Sequence, residues 1–111
     1  MQSTNLTVTE LKFEVSKYLE TSTFINIFNI DNTQSTLQIP FDYIVNMVAH
    51  INKDGKEFFA VLTYCENKDK ENKTLFVFEY GYKNCVAYHH NFYDGYGYLT
   101  MITWLFVNRH Y

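Results

Sequence analysis

Two segments in the middle of the chain are apolar on both faces of a strand, and they constrain the fold most. Residues 57–65 read EFFAVLTYC and residues 74–80 read TLFVFEY. Because successive side chains of a strand point to opposite faces, Phe58 and Leu62 point one way while Phe59 points the other. Strands of this kind need cover on both faces. We therefore predict central strands of a sheet, covered by strong curling, by helical segments or by a partner chain.

The residue composition favours β structure in a single domain. The chain has 111 residues, which suit one domain spanning residues 1–111. Ten Tyr and ten Phe supply most of the 19% aromatic residues. Both residue types favour pleated, half-buried surfaces, so the aromatic excess indicates a sheet.

The N-terminal segment carries the pattern of an amphipathic helix. Thr7 and Glu10 have the spacing of a capping box, in which the hydroxyl accepts from a backbone amide and the carboxylate reaches back. Apolar residues then recur at the spacing of one helical face: Leu11, Val15, Tyr18 and Leu19. This spacing predicts a helix over residues 8–20.

The remainder of the chain shows two-residue periodicity between turn signals, which is typical of antiparallel strands. The predicted strands cover residues 23–30, 36–41, 57–65, 74–80 and 82–90. Pro40 fits a strand end, since proline has no N–H for the ladder. The predicted fold class is α+β, an N-terminal amphipathic helix followed by an antiparallel β-meander of five to seven strands.

Two further segments fit more than one kind of secondary structure. Residues 43–52 alternate as a strand but also satisfy a helical stripe. The turn sequence KDGK at residues 53–56, in which Gly55 is free to take positive φ, favours a hairpin and therefore a strand. Residues 99–107 fit either a last strand or a short second helix.

Charge and hydropathy argue against nucleic-acid and membrane partners. The net charge is −3, and Arg109 is the only arginine, so no basic stripe is present. No apolar run approaches the roughly 18 residues that a membrane helix needs. The first 24 residues contain five charged residues and lack the apolar core of a signal peptide. Two cysteines do not make a disulfide framework. A cytoplasmic protein is therefore expected.

Residues 84–98, NCVAYHHNFYDGYGY, combine plausible metal ligands with aromatic rings. The potential ligands are Cys85, His89, His90 and Asp94. On a strand, Cys85 and His89 lie about 13 Å apart, and His89 and His90 point to opposite faces. Zinc ligands converge to about 2.0–2.3 Å from the metal. A catalytic triad is recognised by its geometry, and any chain of this size contains the residue types for one. We therefore predict no metal site, no catalytic residue and no cofactor.

Tyrosines concentrate near the end of the chain, and we interpret them as a partner-binding surface. Seven of the ten tyrosines lie in the last 32 residues. Tyrosine offers a large contact area and a polar tip at low entropic cost. The predicted partner-binding residues are Tyr82, Tyr88, His89, His90, Phe92, Tyr93, Asp94, Tyr96 and Tyr98. The alternative is cross-strand aromatic pairing that only holds the sheet together. His50 stands alone and is interpreted as an ordinary strand residue.

Three functional hypotheses follow. The first is a small protein-binding module that associates stoichiometrically with another protein, as an inhibitor, an immunity-type neutraliser or an accessory factor. A phage or mobile-element origin fits its small size and its Asn-, Lys- and Ile-rich composition. The second is a small-molecule-binding domain or minor enzyme, with a Tyr- and His-lined pocket between helix and sheet. The third is a homodimer, in which a second copy covers the surplus apolar sheet surface.

Overall fold

Seven β-strands and one α-helix make up the part of the chain that the computed structural model describes. That part comprises residues 5–40, 42–65, 72–80, 87–93 and 97–108, with the backbone alone for residues 72 and 87–93. The elements are β1 (Leu6–Tyr18), β2 (Ser22–Phe28), β3 (Gln34–Pro40), β4 (Tyr43–Lys53), β5 (Lys56–Cys65), β6 (Asn72–Glu79), β7 (Ala87–Tyr93) and α1 (Tyr98–Asn108). The fold is therefore mostly antiparallel β, with its helix after the strands.

The predicted helix over residues 8–20 is wrong, because this segment is the long strand β1. Residues 6–11 pair with β4, and residues 12–18 pair with β2, antiparallel in both cases. Thr7 lies opposite Asn52 in the ladder, so the expected capping box has no helix to cap. Long-range pairing with two strands outweighs the local helical preference, which is a weak determinant by comparison. The predicted α+β class with an N-terminal helix is corrected accordingly.

Burial along β1 shows that the predicted helical stripe is not a buried face. Leu11 is the one buried member of the predicted stripe, and Tyr18 is 72% exposed. Leu6 and Val8 pack against one core cluster, whereas Leu11 and Phe13 belong to the other. The four residues of the predicted stripe therefore do not form one buried face, and their helical spacing is coincidental.

The structure decides the secondary structure of the two segments whose sequence fits both a strand and a helix. Residues 43–52 lie in β4, which confirms the strand prediction and excludes the helical alternative there. Residues 99–107 lie in α1, so the helical alternative is the correct one. Pro40 is the last residue of β3, the terminal strand in the described sheet, as expected for a residue without an N–H.

The sheet curls strongly, and its connectivity requires this. The strand order is β3-β2-β1-β4-β5-β6-β7, so three interstrand spacings, about 14 Å on a flat sheet, separate β3 from β4. Only three Cα–Cα steps join Pro40 to Tyr43, and they span at most about 11 Å. The end of β3 therefore comes round beside the start of β4, and the β2–β3 hairpin lies over the central strands.

Both faces of the central strands are covered from within the chain. One face forms a core cluster with α1: Met47, Ala49, Ile51, Phe58, Ala60, Leu62, Leu75, Val77, Ile102, Leu105 and Phe106. The other face forms a second cluster with β1 and the β2–β3 hairpin: Leu11, Ile25, Ile27, Leu37, Ile39, Val48, Phe59, Val61, Phe76 and Phe78. The two-faced burial predicted for β5 and β6 is confirmed. Of the three expected sources of cover, curling and a helix are the two that the described residues use.

The β4–β5 turn supplies a direct test of backbone geometry. Asp54 and Gly55 both have positive φ, 53° and 89°, and the Gly55 amide donates to Asn52 Oδ1 at 2.9 Å. We expect Gly55→Ala to lower the free energy of unfolding by about 1–2 kcal/mol, because a Cβ is disfavoured at positive φ. Urea unfolding measures the loss, with Gln34→Ala as the exposed control. Equal midpoints for the two variants would contradict this turn geometry.

Candidate functional site

The predicted aromatic site falls largely where side chains are not described. Tyr82, Asp94 and Tyr96 lie outside the described residues. The backbone of β7 places five of the predicted residues on a strand paired with β6: Tyr88, His89, His90, Phe92 and Tyr93. Tyr98 begins α1, where it is half-buried and packs against the first core cluster. The partner-binding role of these nine residues stays a prediction.

No metal centre is formed by the residues with described side chains. Among them, no three His, Cys, Asp or Glu residues lie close enough to hold a metal ion. Cys85 lies outside the described residues, and Cys65 is a half-buried free thiol at the end of β5. In the described part of the chain, no helix has the length and apolar character needed to cross a bilayer.

Helix α1 carries no charged residue, and one of its faces is exposed. Its sequence is YLTMITWLFVN. Ile102, Leu105 and Phe106 are buried at the i, i+3, i+4 spacing of an inward face. The outward face, here called the α1 surface, consists of Leu99, Thr100, Thr103, Trp104 and Val107. Trp104 is 57% exposed and Val107 is 51% exposed. The helix is therefore apolar on the side that faces away from the sheet as well.

Polar groups near the α1 surface bind the helix's own backbone. The Thr103 hydroxyl donates to the Leu99 carbonyl at 2.7 Å, and the Asn108 amide donates to the Trp104 carbonyl at 2.8 Å. The Thr103 donor is thus already satisfied, which leaves its methyl group as an apolar contact. Covering this surface removes no ion from water, so the desolvation cost of binding is small.

A groove of about 400 Å³ lies between β1 and α1, beside the α1 surface. Leu6 and Val8 line it from the strand, and Leu99, Thr100 and Thr103 line it from the helix. Three of the five α1-surface residues therefore also form one wall of the groove. The apolar surface is continuous with a depression that can accept a side chain.

A second cavity, of about 230 Å³, opens on the opposite face of the central strands. It is here called the mouth cleft. Strand-borne residues form one wall: Leu11, His50, Glu57 and, just after β6, Tyr80. The turn between β2 and β3 forms the other wall: Asn29, Ile30 and Asp31. Leu11 also belongs to the second core cluster, so the cleft lies at one end of that core. It is not the predicted pocket between helix and sheet, although His and Tyr do line it.

The imidazole of His50 is held in the mouth cleft by a carboxylate and two aromatic rings. His50 Nε2 lies 3.1 Å from Glu57 Oε1. Its ring meets Phe59 and Tyr80 edge-on, with centroids 6.2 and 6.3 Å away. The backbone amide of Tyr80 donates to the Glu57 carbonyl at 3.0 Å, which fixes the aromatic wall relative to β5. These contacts pre-organise one wall of the cleft.

Asp31 contributes a stable negative charge to the other wall. Its Oδ1 accepts from the Thr33 hydroxyl and from the Thr33 amide, the latter at 3.1 Å. These hydrogen bonds favour the ionised form and lower the pKa of Asp31 below its ordinary value. The contact therefore stabilises the turn at neutral pH, and this contribution is lost as the pH falls through the lowered pKa. Asn29 Nδ2 donates to the Thr33 and Ser35 hydroxyls, so the turn is further braced.

Comparison with known proteins identifies no family. The chain matches no protein-family model, and no curated protein or solved structure is significantly similar to it. The α1 surface and the mouth cleft are therefore the features from which we infer a function.

Sequence reasoning missed both features, although signals for them were present. A helical interpretation of residues 99–107 places Trp104 and Val107 on the face opposite Ile102. For the cleft, the two-residue turn pairs Asn52 with Glu57, which puts His50 diagonally beside Glu57 on the same face. His50, interpreted from the sequence as an ordinary strand residue, lies in β4 and also lines this cleft.

Proposed function

We propose that this protein is a small binding module that associates stoichiometrically with another protein through the α1 surface. Such a module acts as an inhibitor, an immunity-type neutraliser or an accessory factor. The observation that carries the proposal is the uncharged helix α1, whose outward face exposes Trp104 and Val107 by more than half. Exposed apolar patches mark interaction sites in small proteins.

The apolar surface that supports protein binding is not the one that the sequence suggested. The sequence suggested surplus apolar sheet surface, but α1 and the β2–β3 hairpin cover the two faces of the central strands. Among the large apolar residues that stay exposed, Leu99, Trp104 and Val107 lie together on one helix. Tryptophan is enriched among the residues that contribute most to binding free energy, and charged residues are depleted from interface cores. Trp104, on a helix without charges, fits the centre of an interface.

The chemistry of α1 favours a protein over a lipid surface or a nucleic acid. The helix has 11 residues, so it is about 16 Å long. It contains no Lys or Arg to attract anionic lipid headgroups or phosphates. The adjacent groove of about 400 Å³ can accept an apolar side chain from a partner. A partner protein with an apolar surface and a protruding side chain would be complementary to the α1 surface and to the groove.

Site-specific photo-cross-linking tests this proposal. A photoreactive phenylalanine analogue at Thr100, one turn from Trp104, should give a discrete adduct with one recurring protein in cells of the source organism. The same analogue at Gln34, which is exposed on β3, should not give that adduct. Adding Trp104→Glu to the Thr100 probe should abolish it, because a charge would be desolvated in the interface.

Three outcomes would contradict the proposal. The first is the absence of any adduct from the Thr100 position, and the second is an identical set of adducts from Gln34. The third is an adduct only between two copies of this chain, which would assign the α1 surface to a homodimer.

A further inference from the structure

We propose that the mouth cleft is a second binding site, for a small aliphatic ammonium ion. The carboxylates of Glu57 and Asp31 attract the ammonium group, and Leu11 and Ile30 contact the alkyl chain. The proposal is independent of the α1 surface, since the cleft opens on the opposite face of the central strands.

The charge of the described residues that line the cleft favours a cation. Glu57 and Asp31 are the carboxylates that line it, and no Lys or Arg is among the described lining residues. The nearby Lys56 ammonium lies 3.8 Å from Glu79, a carboxylate outside the lining. The hydrogen bonds from Thr33 favour the ionised form of the Asp31 carboxyl group on this wall.

Both carboxylates retain acceptor capacity for a ligand. The contact with His50 uses Oε1 of Glu57, and the two contacts with Thr33 use Oδ1 of Asp31. A carboxylate has two oxygens and about four lone-pair sites, so the second oxygen of each group can still accept. An ammonium group offers three donors and no acceptor, and it therefore complements acceptors of this kind.

The size and the apolar walls of the cleft limit the ligand to a short alkyl chain. Its volume of about 230 Å³ is below the roughly 300–1,000 Å³ of pockets for drug-sized ligands. Ile30 is 66% exposed at the rim, so a bound alkyl chain would cover apolar surface that water now contacts. The Tyr80 ring adds a surface that attracts cations. A nucleotide or a large cofactor does not fit this combination of size and charge.

The walls of the cleft are fixed before a ligand binds. Asn29 and Asp31 brace one wall through Thr33, and the His50–Glu57 contact braces the other. Pre-organisation lowers the entropic cost of binding, which permits measurable affinity for a ligand with few atoms.

Titration with n-butylammonium chloride, followed by backbone amide NMR shifts at low salt, tests the proposal. We expect saturable shifts at Asp31, His50 and Glu57, and no saturable shifts with neutral 1-butanol. Glu57→Gln should weaken binding about tenfold, the effect of losing one charge-assisted hydrogen bond. Asp31→Asn should weaken it to a similar extent.

The matched control is Glu79→Gln, which removes a carboxylate outside the cleft lining and should leave the affinity unchanged. Trp104→Ala should also leave it unchanged, so failure of the protein-binding proposal would not affect this result. If butylammonium binds as tightly as Nα-acetyl-lysine N-methylamide, or more tightly, the site is assigned to free amines. Tighter binding of the lysine derivative would assign the same ammonium chemistry to a protein side chain. Equal shifts with 1-butanol, or equal affinities for the Glu57 and Glu79 variants, would overturn the proposal.

Discussion

Replacing Phe106 by Ala should lower the free energy of unfolding by about 3–5 kcal/mol, the usual loss when a fully buried phenylalanine is truncated. Phe106 is fully buried under α1, and its ring centroid lies 5.4 Å from that of Phe58 on β5. The substitution leaves a cavity where the helix meets the sheet. Chemical denaturation followed by circular dichroism measures the loss.

The matched control for Phe106→Ala is Trp104→Ala, two residues away on the same helix. Trp104 is exposed, so its removal should change the free energy of unfolding by no more than about 0.5 kcal/mol. Both substitutions truncate a large aromatic residue to Ala, and they differ in which side of α1 they affect. If Phe106→Ala lowered the free energy of unfolding as little as Trp104→Ala does, α1 would not pack on the sheet through Phe106.

The second large effect is expected for Ile27→Ala, with a loss of about 2–5 kcal/mol. Ile27 is fully buried on β2 and belongs to the cluster between the β2–β3 hairpin and the central strands. Its truncation removes packing from the layer that covers this face. Urea unfolding of the purified variant measures the effect.

Ile30→Ala provides the same chemical change three residues later. Ile30 lies in the β2–β3 turn and is 66% exposed, so we expect a change within about 0.5 kcal/mol. The difference between the two losses in the free energy of unfolding measures how much the packing of β2 on the sheet stabilises the fold. A small loss for Ile27→Ala, close to that for Ile30→Ala, would mean that the hairpin does not cover the central strands.

The central strands could be predicted because their pattern has one physical interpretation. Apolar residues on both faces of residues 57–65 and 74–80 require a sheet with cover on both sides, and the structure has this. The turn sequence at residues 53–56 favoured a strand over a helix for residues 43–52, and the structure has the tight hairpin, with positive φ at Asp54 and Gly55.

The two ends of the described fold could not be predicted in the same way. In β1, helical spacing relates Leu11 to Val15, Tyr18 and Leu19, but only Leu11 of these four is buried, so the spacing did not mark a buried face. In residues 99–107, branched and aromatic residues suit a strand, although Ile102, Leu105 and Phe106 keep helical spacing. In both segments, tertiary packing decided between local preferences of similar strength.

The candidate sites were hidden for a related reason. The mouth cleft joins residues from strands to a turn between β2 and β3, and no local pattern indicates that Asp31 comes to the same cavity as Glu57. The curling of the sheet brings the turn there. The α1 surface depends on the helical state of residues 98–108, and its residues suggest no binding role when read as a strand.

Helix α1 packs one apolar face on the sheet, and we propose that it presents the other to a partner. Trp104 is the only tryptophan in the chain, so its fluorescence reports directly on the outward face. In dilute folded protein, we predict the emission of a water-exposed indole that acrylamide quenches readily. Adding the partner identified by cross-linking should shift the emission to the blue and protect it. A blue, protected emission from dilute monomeric protein would contradict the claim, because Trp104 would then lie inside the fold.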